Sequence, residues 1–148
     1  MALQCPDSLF PIAGFFNGLT PEKLANLGDI YSPAVEFQDP LHQTRGLAEL
    51  RRVFEHHLHQ LHHLEMTVTD AHGDDRTGFL LWTMHYQLRG KARSITGTSH
   101  LKFAPDGRVA VQTDHWDASF PVYGEFPLIG WAMRTIKRLT TLKPKTGS

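Results

Sequence analysis

The chain has almost no cysteine: one residue, Cys5, in 148. An internal disulfide is therefore excluded, and a reducing compartment fits. Neither charge is in excess, with 15 Lys plus Arg against 15 Asp plus Glu. Nucleic-acid binders usually carry a basic surplus, so no nucleic-acid partner is expected. No apolar run approaches the ~20 residues that a membrane helix needs. Residues 1–7 show no basic region followed by an apolar stretch, so no signal peptide is read and a cytoplasmic protein is expected. There is no CxxC, phosphate loop, nucleophile elbow or dinucleotide fingerprint. What is present is a hydrophobic fraction of 41% against 20% charged residues. That suffices for one packed domain and excludes a disordered or coiled-coil chain.

Helical signals crowd the first 61 residues. Ser8 can cap a helix carrying Phe10, Ile12, Phe15, Phe16 and Leu19. Thr20, with Pro21 behind it, can cap a second helix bearing Leu24, Leu27 and Ile30, with Pro33 beyond its end. A short strand follows at 34–39 and Pro40 stops it. Gly46 opens a third helix with Leu47, Leu50, Val53, Phe54, Leu58 and Leu61 on one face. From residue 62 the period becomes two. Strands are expected around 64–68, 78–88, 92–103 and 108–118, with turns at 71–75, Gly90-Lys91 and Pro105-Asp106-Gly107. Residues 120–142 read as helix, with apolar residues recurring at three or four and a basic balance. Helices segregate from strands, which predicts an α+β fold: helices on one face of a curved, mainly antiparallel sheet around a cone-shaped pocket, plus a C-terminal helical arm.

Two aspartates carry the chemistry. Asp39 ends an apolar strand directly before Pro40. It either accepts backbone hydrogen bonds in the turn that the proline forces, or stands at a pocket mouth as a general base with a raised pKa. Asp114 lies on the last strand, where alternation places Gln112, Asp114 and Trp116 on one face and Val109, Val111 and Thr113 on the other. If Trp116 faces the interior, so does Asp114, which must then be hydrogen-bonded, paired or protonated. Ten histidines occur. Among them His59 and His63 have the i, i+4 spacing of a helical metal pair, but the helix is expected to stop near Leu61. These are read as surface histidines, and no metal site is expected.

The ordered set of Val35-to-Pro40, Gly46, Gly97-Thr98-Ser99-His100-Leu101-Lys102-Phe103, Pro105-Asp106-Gly107-Arg108-Val109 and Asp114-His115-Trp116-Asp117 resembles the nuclear-transport-factor-2-like superfamily. Within it, the chain resembles the SnoaL-like bacterial members in particular. The resemblance implies a cone fold that holds small apolar molecules, as in ketosteroid isomerases, polyketide cyclases and limonene-epoxide hydrolases, and frequent dimers through the sheet face. By that resemblance the isomerase base falls on Asp39, the oxyanion-hole tyrosine on Phe15, the oxyanion-hole acid on Ser99 and a second tyrosine near Phe54. Phenylalanine donates no hydrogen bond, so a stabiliser worth ~3–4 kcal/mol is missing and that isomerase mechanism is disfavoured. The epoxide-hydrolase set fails because no Arg-x-Asp occurs. The SnoaL-type acid/base reading, without metal or cofactor, is the least contradicted.

The resulting expectations are these. Residues 1–118 form the SnoaL-like domain, 119–142 its helical arm and 143–148 a flexible tail. Asp39 and Asp114 are the catalytic candidates. Phe15, Phe16, Phe54, His57, Trp82, Tyr86, Ser99, Leu101, Gln112 and Trp116 line the pocket. The protein is a cofactor-free isomerase, cyclase or hydratase/hydrolase acting on a small apolar carbonyl or polyketide-like compound, and it forms a homodimer. Two alternatives stay open: a non-catalytic ligand-binding or dimerisation module, and a peripheral membrane protein using the arm, which the even charge balance outside the arm disfavours.

Overall fold

Glycines and prolines set the punctuation of the chain. A computed structural model describes residues 6–119 and 121–142. Among the described residues the chain divides after Trp116 into two compact units. The tail expected at 143–148 lies outside the described residues, as do Cys5 and Phe120.

In the first unit a 3-10 turn over Asp7–Leu9 leads into α1 (Phe10–Phe16), followed by α2 (Pro21–Leu24), α3 (Leu27–Ile30), β1 (Tyr31–Gln38), β2 (Gln43–Arg45) and α4 (Leu47–Gln60). Four further strands complete it: β3 (His62–Gly73), β4 (Thr77–Leu88), β5 (Lys91–Phe103) and β6 (Val109–Trp116). The six strands form one curved, unclosed sheet in the order β2-β1-β6-β5-β4-β3. Every neighbouring pair is antiparallel except β1 with β6, which is parallel. The α+β cone architecture is therefore present, with the helices on the inner face of the sheet.

Alternation decides which face is which. Along β4, Leu80, Trp82 and Tyr86 are buried while Phe79 and Leu81 are exposed. Arg89 and Gly90, both at positive φ, make the two-residue turn that a right-twisted β4–β5 hairpin prefers. Gly46, at φ 89°, joins β2 to α4, and its amide donates to the Val35 carbonyl (2.8 Å). A side chain would be strained there. One face of α4 buries Leu50, Val53 and Phe54 against an aromatic cluster of Phe15, Tyr31 and Phe37.

Several local expectations need correcting. Neither Ser8 nor Thr20 caps a helix through its side chain; the Ser8 hydroxyl instead donates to the Asp74 carbonyl (3.0 Å). The second helix breaks into the one-turn pieces α2 and α3. β1 starts at Tyr31, three residues before the expected strand, and so includes Pro33. The β1–β6 register shifts between Tyr31 and Glu36, where a residue without an N–H is tolerated. Strand β2 has no periodic signal and was not anticipated. Val109 is buried rather than on the outer face, because the β5–β6 register shifts between Lys102 and Phe103.

The second unit contains a 3-10 turn at Tyr123–Glu125 and α5 (Pro127–Thr140). Gly130 packs against the Gly124 carbonyl, where an added Cβ would come within 2.6 Å. Leu128, Ile129, Trp131, Ile136 and Leu139 of α5 are exposed. No described helix is long and apolar enough to cross a membrane.

Candidate functional site

The central site begins with a glycine. On the inner face of β5 the buried positions are Ile95, Gly97, Ser99 and Leu101. Trp82 on β4 is the cross-strand partner of Gly97, and its indole lies over that residue. A Cβ at Gly97 would sit 2.5 Å from the ring. With the space left open, the Trp82 Nε1–H donates to the Ser99 hydroxyl (3.0 Å). Indole nitrogen can only donate, so Ser99 accepts there and directs its own hydrogen to Asp114 Oδ1 (2.6 Å). Ser99 and Asp114 face each other across β5–β6.

From the other side, Gln112, two residues before Asp114, donates its Nε2–H to the same Oδ1 (2.9 Å). The Gln112 carbonyl oxygen accepts from the Tyr31 hydroxyl (2.7 Å). Ser99, Gln112 and Tyr31 are fully buried. Both donors converge on one oxygen of Asp114. Among the described residues no hydrogen bond reaches Oδ2, and the residue is only half-buried. A proton on the neutral carboxyl therefore belongs on Oδ2.

Burial raises the pKa of Asp114 to about 7, because the charged form loses its water. The hydrogen bonds from Ser99 and Gln112 oppose the rise, and the negative charge of Asp39 adds to it. Burial, and then the Asp114 charge, hold the Tyr31 phenol well above its usual range. This is a neutral hydrogen-bond chain ending on a carboxyl that can give or take a proton near neutral pH.

Asp39 sits nearby. The parallel register pairs Gln38 with Thr113, which brings the end of β1 alongside Asp114. Asp39 Oδ1 accepts from the amides of Leu41 (2.7 Å) and His42 (2.6 Å). The His42 ring nitrogen Nδ1 lies 3.0 Å from Oδ1 and 3.1 Å from Oδ2. The turn forced by Pro40 thus uses this carboxylate as its acceptor, as one of the two readings of the sequence had it. His57, from the last turn of α4, places its ring 5.5 Å from that of His42. Burial lowers its pKa to about 4, so it is neutral at physiological pH.

The remaining expected residues divide. Trp82, Ser99 and Gln112 join Asp114, and His57 joins Asp39. Phe15, Phe16 and Phe54 belong to the buried aromatic cluster, with the edge of one ring set against the face of the other between Phe15 and Tyr31 (5.8 Å). Leu101 is buried; Trp116 is half-buried against the core and pairs with Gly97. Tyr86 is buried further along β4 and pairs with Arg93. His59 and His63 are exposed, and α4 ends between them at Gln60. Sequence reasoning missed Tyr31 and His42. Tyr31 fell outside a strand thought to begin at residue 34. His42 was masked by the denser histidine run at 56–63, although its spacing of three from Asp39 across a proline was a usable signal.

The comparisons agree with this architecture. A solved protein with a ketosteroid isomerase-like fold from Catenulispora acidiphila is similar over 78% of this chain and 88% of its own, at 13% identity and TM-score 0.66. A candidate SnoaL-like polyketide cyclase from Shewanella denitrificans is similar over 76% and 91%, at 18% identity and TM-score 0.64. A limonene-epoxide-hydrolase-like epoxide hydrolase from M. tuberculosis covers 89% and 94%, at 11% identity and TM-score 0.62. Identities this low establish the fold alone. No curated protein matches the sequence. The SnoaL-like domain model matches residues 12–112, from within α1 to Gln112 midway along β6, two residues before Asp114. With that match over most of its length, and the cone-shaped sheet beneath it, this chain belongs to the SnoaL-like domain family.

Proposed function

We propose that the protein is an acid/base enzyme for a small, mostly apolar carbonyl compound, with Asp114 as the group that exchanges the proton. The carrying observation is the one-sided hydrogen bonding of Asp114: two donors hold Oδ1, while among the described residues none reaches Oδ2, and the residue is only half-buried. Ser99 and Gln112 fix the carboxyl; Trp82 and Tyr31 fix Ser99 and Gln112 in turn. Asp39 contributes its field, which favours the protonated form of Asp114, and with His57 it completes the polar end of the site. Phe15, Phe54 and Trp116 supply the apolar surroundings that suit an uncharged substrate. Isomerase-like, cyclase and epoxide-hydrolase names among the structural relatives are compatible with such chemistry. The chain's own residues favour proton transfer at carbon over epoxide opening, since no Arg-x-Asp is present. Two copies are proposed to pair through the outer sheet face, where Phe79 and Leu81 lie exposed.

The test is hydrogen–deuterium exchange at the α-carbon of a panel of small enolisable ketones in D2O, followed by NMR. The wild type is expected to accelerate exchange on at least one of them. Asp114→Asn should lower that rate by ~10²-fold or more, the usual scale for a positioned acid/base. Ser99→Ala, which removes a donor that opposes the raised pKa, should shift the pH profile upward. No acceleration on any ketone, or full activity in Asp114→Asn, overturns the reading.

A further inference from the structure

The corner built on Asp39 holds more than a turn. We propose that Asp39, His42 and His57 form a binding site for a divalent first-row transition metal, with three protein ligands and open coordination positions. One ligand atom from each residue lies within 4.8 Å of the other two. Ligand atoms bound at ~2.1 Å stand roughly 3.0–3.5 Å apart around a metal. The Asp39–His42 edge, at 3.0–3.1 Å, already has that spacing. Bringing His57 in requires a movement on the order of 1 Å, which a side-chain rotation supplies.

The scaffold suits such a site. Asp39 ends β1, His42 directly precedes β2 and His57 stands on the last turn of α4, so the ligands come from three backbone segments. The Leu41 and His42 amides orient the Asp39 carboxylate, the outer support that metal-bound carboxylates usually have. Two imidazoles with one carboxylate is a donor set for zinc, iron, cobalt or nickel rather than for calcium or magnesium. Asp39 is buried, while His42 and His57 are half-buried, so an ion has a way in. Binding through His42 Nδ1 moves the ring proton to Nε2, with no net loss from a neutral imidazole. The site shares Asp39 and His57 with the polar end of the Asp114 site, but its test does not depend on turnover.

The experiment is titration of the metal-free full-length chain with Co2+, read by visible absorption, with Zn2+ as competitor. Saturable binding of a single equivalent, displaced by Zn2+, is expected. His42→Ala and His57→Ala should each raise the Co2+ Kd by at least about tenfold. His57→Gln, which preserves volume, should do the same, with circular dichroism confirming the fold. The double variant His59→Ala/His63→Ala should bind as the wild type does. Absence of a saturable absorption band overturns the proposal. So does unchanged affinity in a folded His42 or His57 variant, or loss of binding in the His59/His63 variant.

Discussion

Asp39 and Asp114 lie at adjacent ends of neighbouring strands, yet they are held in opposite ways. Asp39 is held by backbone: two amides of its own turn converge on it. Asp114 is held by side chains alone, Ser99 and Gln112, and each of those depends on a further side chain. Backbone amides in a turn cannot leave without unfolding the turn, so Asp39 is tied to local structure. A carboxyl held by neutral hydroxyl and amide groups in a buried setting keeps only part of the stabilisation its charge had in water. Its protonation is therefore free to vary while the fold stays in place. What holds a buried acid, more than how deeply it is buried, separates a structural role from a chemical one.

The two aspartates should differ most in how stability depends on pH. The folded pKa of Asp114 is raised to about 7 from an ordinary value of 3.8. A raised acid contributes stability that is complete below the unfolded pKa and is lost as pH rises through the folded one. Three units correspond to at most ~4 kcal/mol, reduced because the residue keeps some accessible surface. Asp114→Asn has no such titration. Relative to wild type, the variant should gain stability steadily between about pH 4 and pH 7 and then hold its advantage. Urea denaturation of both proteins across that range checks it; parallel stability curves would mean that Asp114 ionises normally and that its neighbours accommodate the charge.

Asp39→Ala should act through the turn instead. It strips the acceptor from two amides, each worth ~1–3 kcal/mol when left unpaired and buried. Leu41 is exposed and its amide can recruit water, so a total loss of ~2–4 kcal/mol is expected. Thermal or urea denaturation reads this. Asp39→Asn keeps an acceptor oxygen and should recover most of the loss. If Asp39→Ala melts like wild type, the turn does not depend on this carboxylate.

Gly97→Ala tests the other side. Its new Cβ would collide with the Trp82 indole, which has to tilt and release Ser99. Forcing a methyl into a packed site costs ~1–3 kcal/mol. The signature separating this from simple loss of stability is a change in near-ultraviolet circular dichroism, together with a shifted Asp114 titration followed by carbon NMR. An unchanged aromatic spectrum would show that the glycine is not what positions the indole.

Much of this arrangement was legible in the sequence, and the limits are physical. Long strands announce themselves by period two, so the grouping of Leu80, Trp82 and Tyr86 on one face of β4 and of Gln112, Asp114 and Trp116 on one face of β6 could be read directly, but not which face of β4 turns inward. The shift that buries Val109 could not, because a register irregularity depends on the partner strand. The Tyr31–Gln112 contact joins residues 81 positions apart through a parallel pairing, and no local pattern encodes it. The donors that hold Asp114 are a serine and a glutamine, residue types with no motif of their own. Asp39 before Pro40 was visible, but whether its carboxylate faced backbone or ligand depended on the loop that follows. His42 belongs to that loop, which has no period, unlike the helix that carries His56, His57 and His59.

The smallest effect on the folded chain concerns the face of the sheet turned away from the helices. Phe79 and Leu81 project there from β4, opposite His100 and Thr98 of β5. The Phe79 ring stacks flat on His100, with centroids 4.6 Å apart and planes 9° apart. Phe79 nonetheless remains 53% exposed and Leu81 39%. Single exposed apolar residues are common. Here, however, an aromatic ring already ordered against a flat partner lies beside a second large side chain on a sheet face, which is a suitable centre for a two-fold contact. A lysine at this position would have little to disturb within one chain, so Phe79→Lys should change monomer stability by less than about 0.5 kcal/mol. In a two-fold pairing the same lysine meets its own copy across the axis, and like charges there oppose association. Light scattering at micromolar concentration should therefore find the wild type as a dimer and Phe79→Lys as a folded monomer. A wild type that is monomeric under those conditions, or a variant that stays dimeric, would show that this face serves no pairing and that Phe79 is merely a tolerated surface ring.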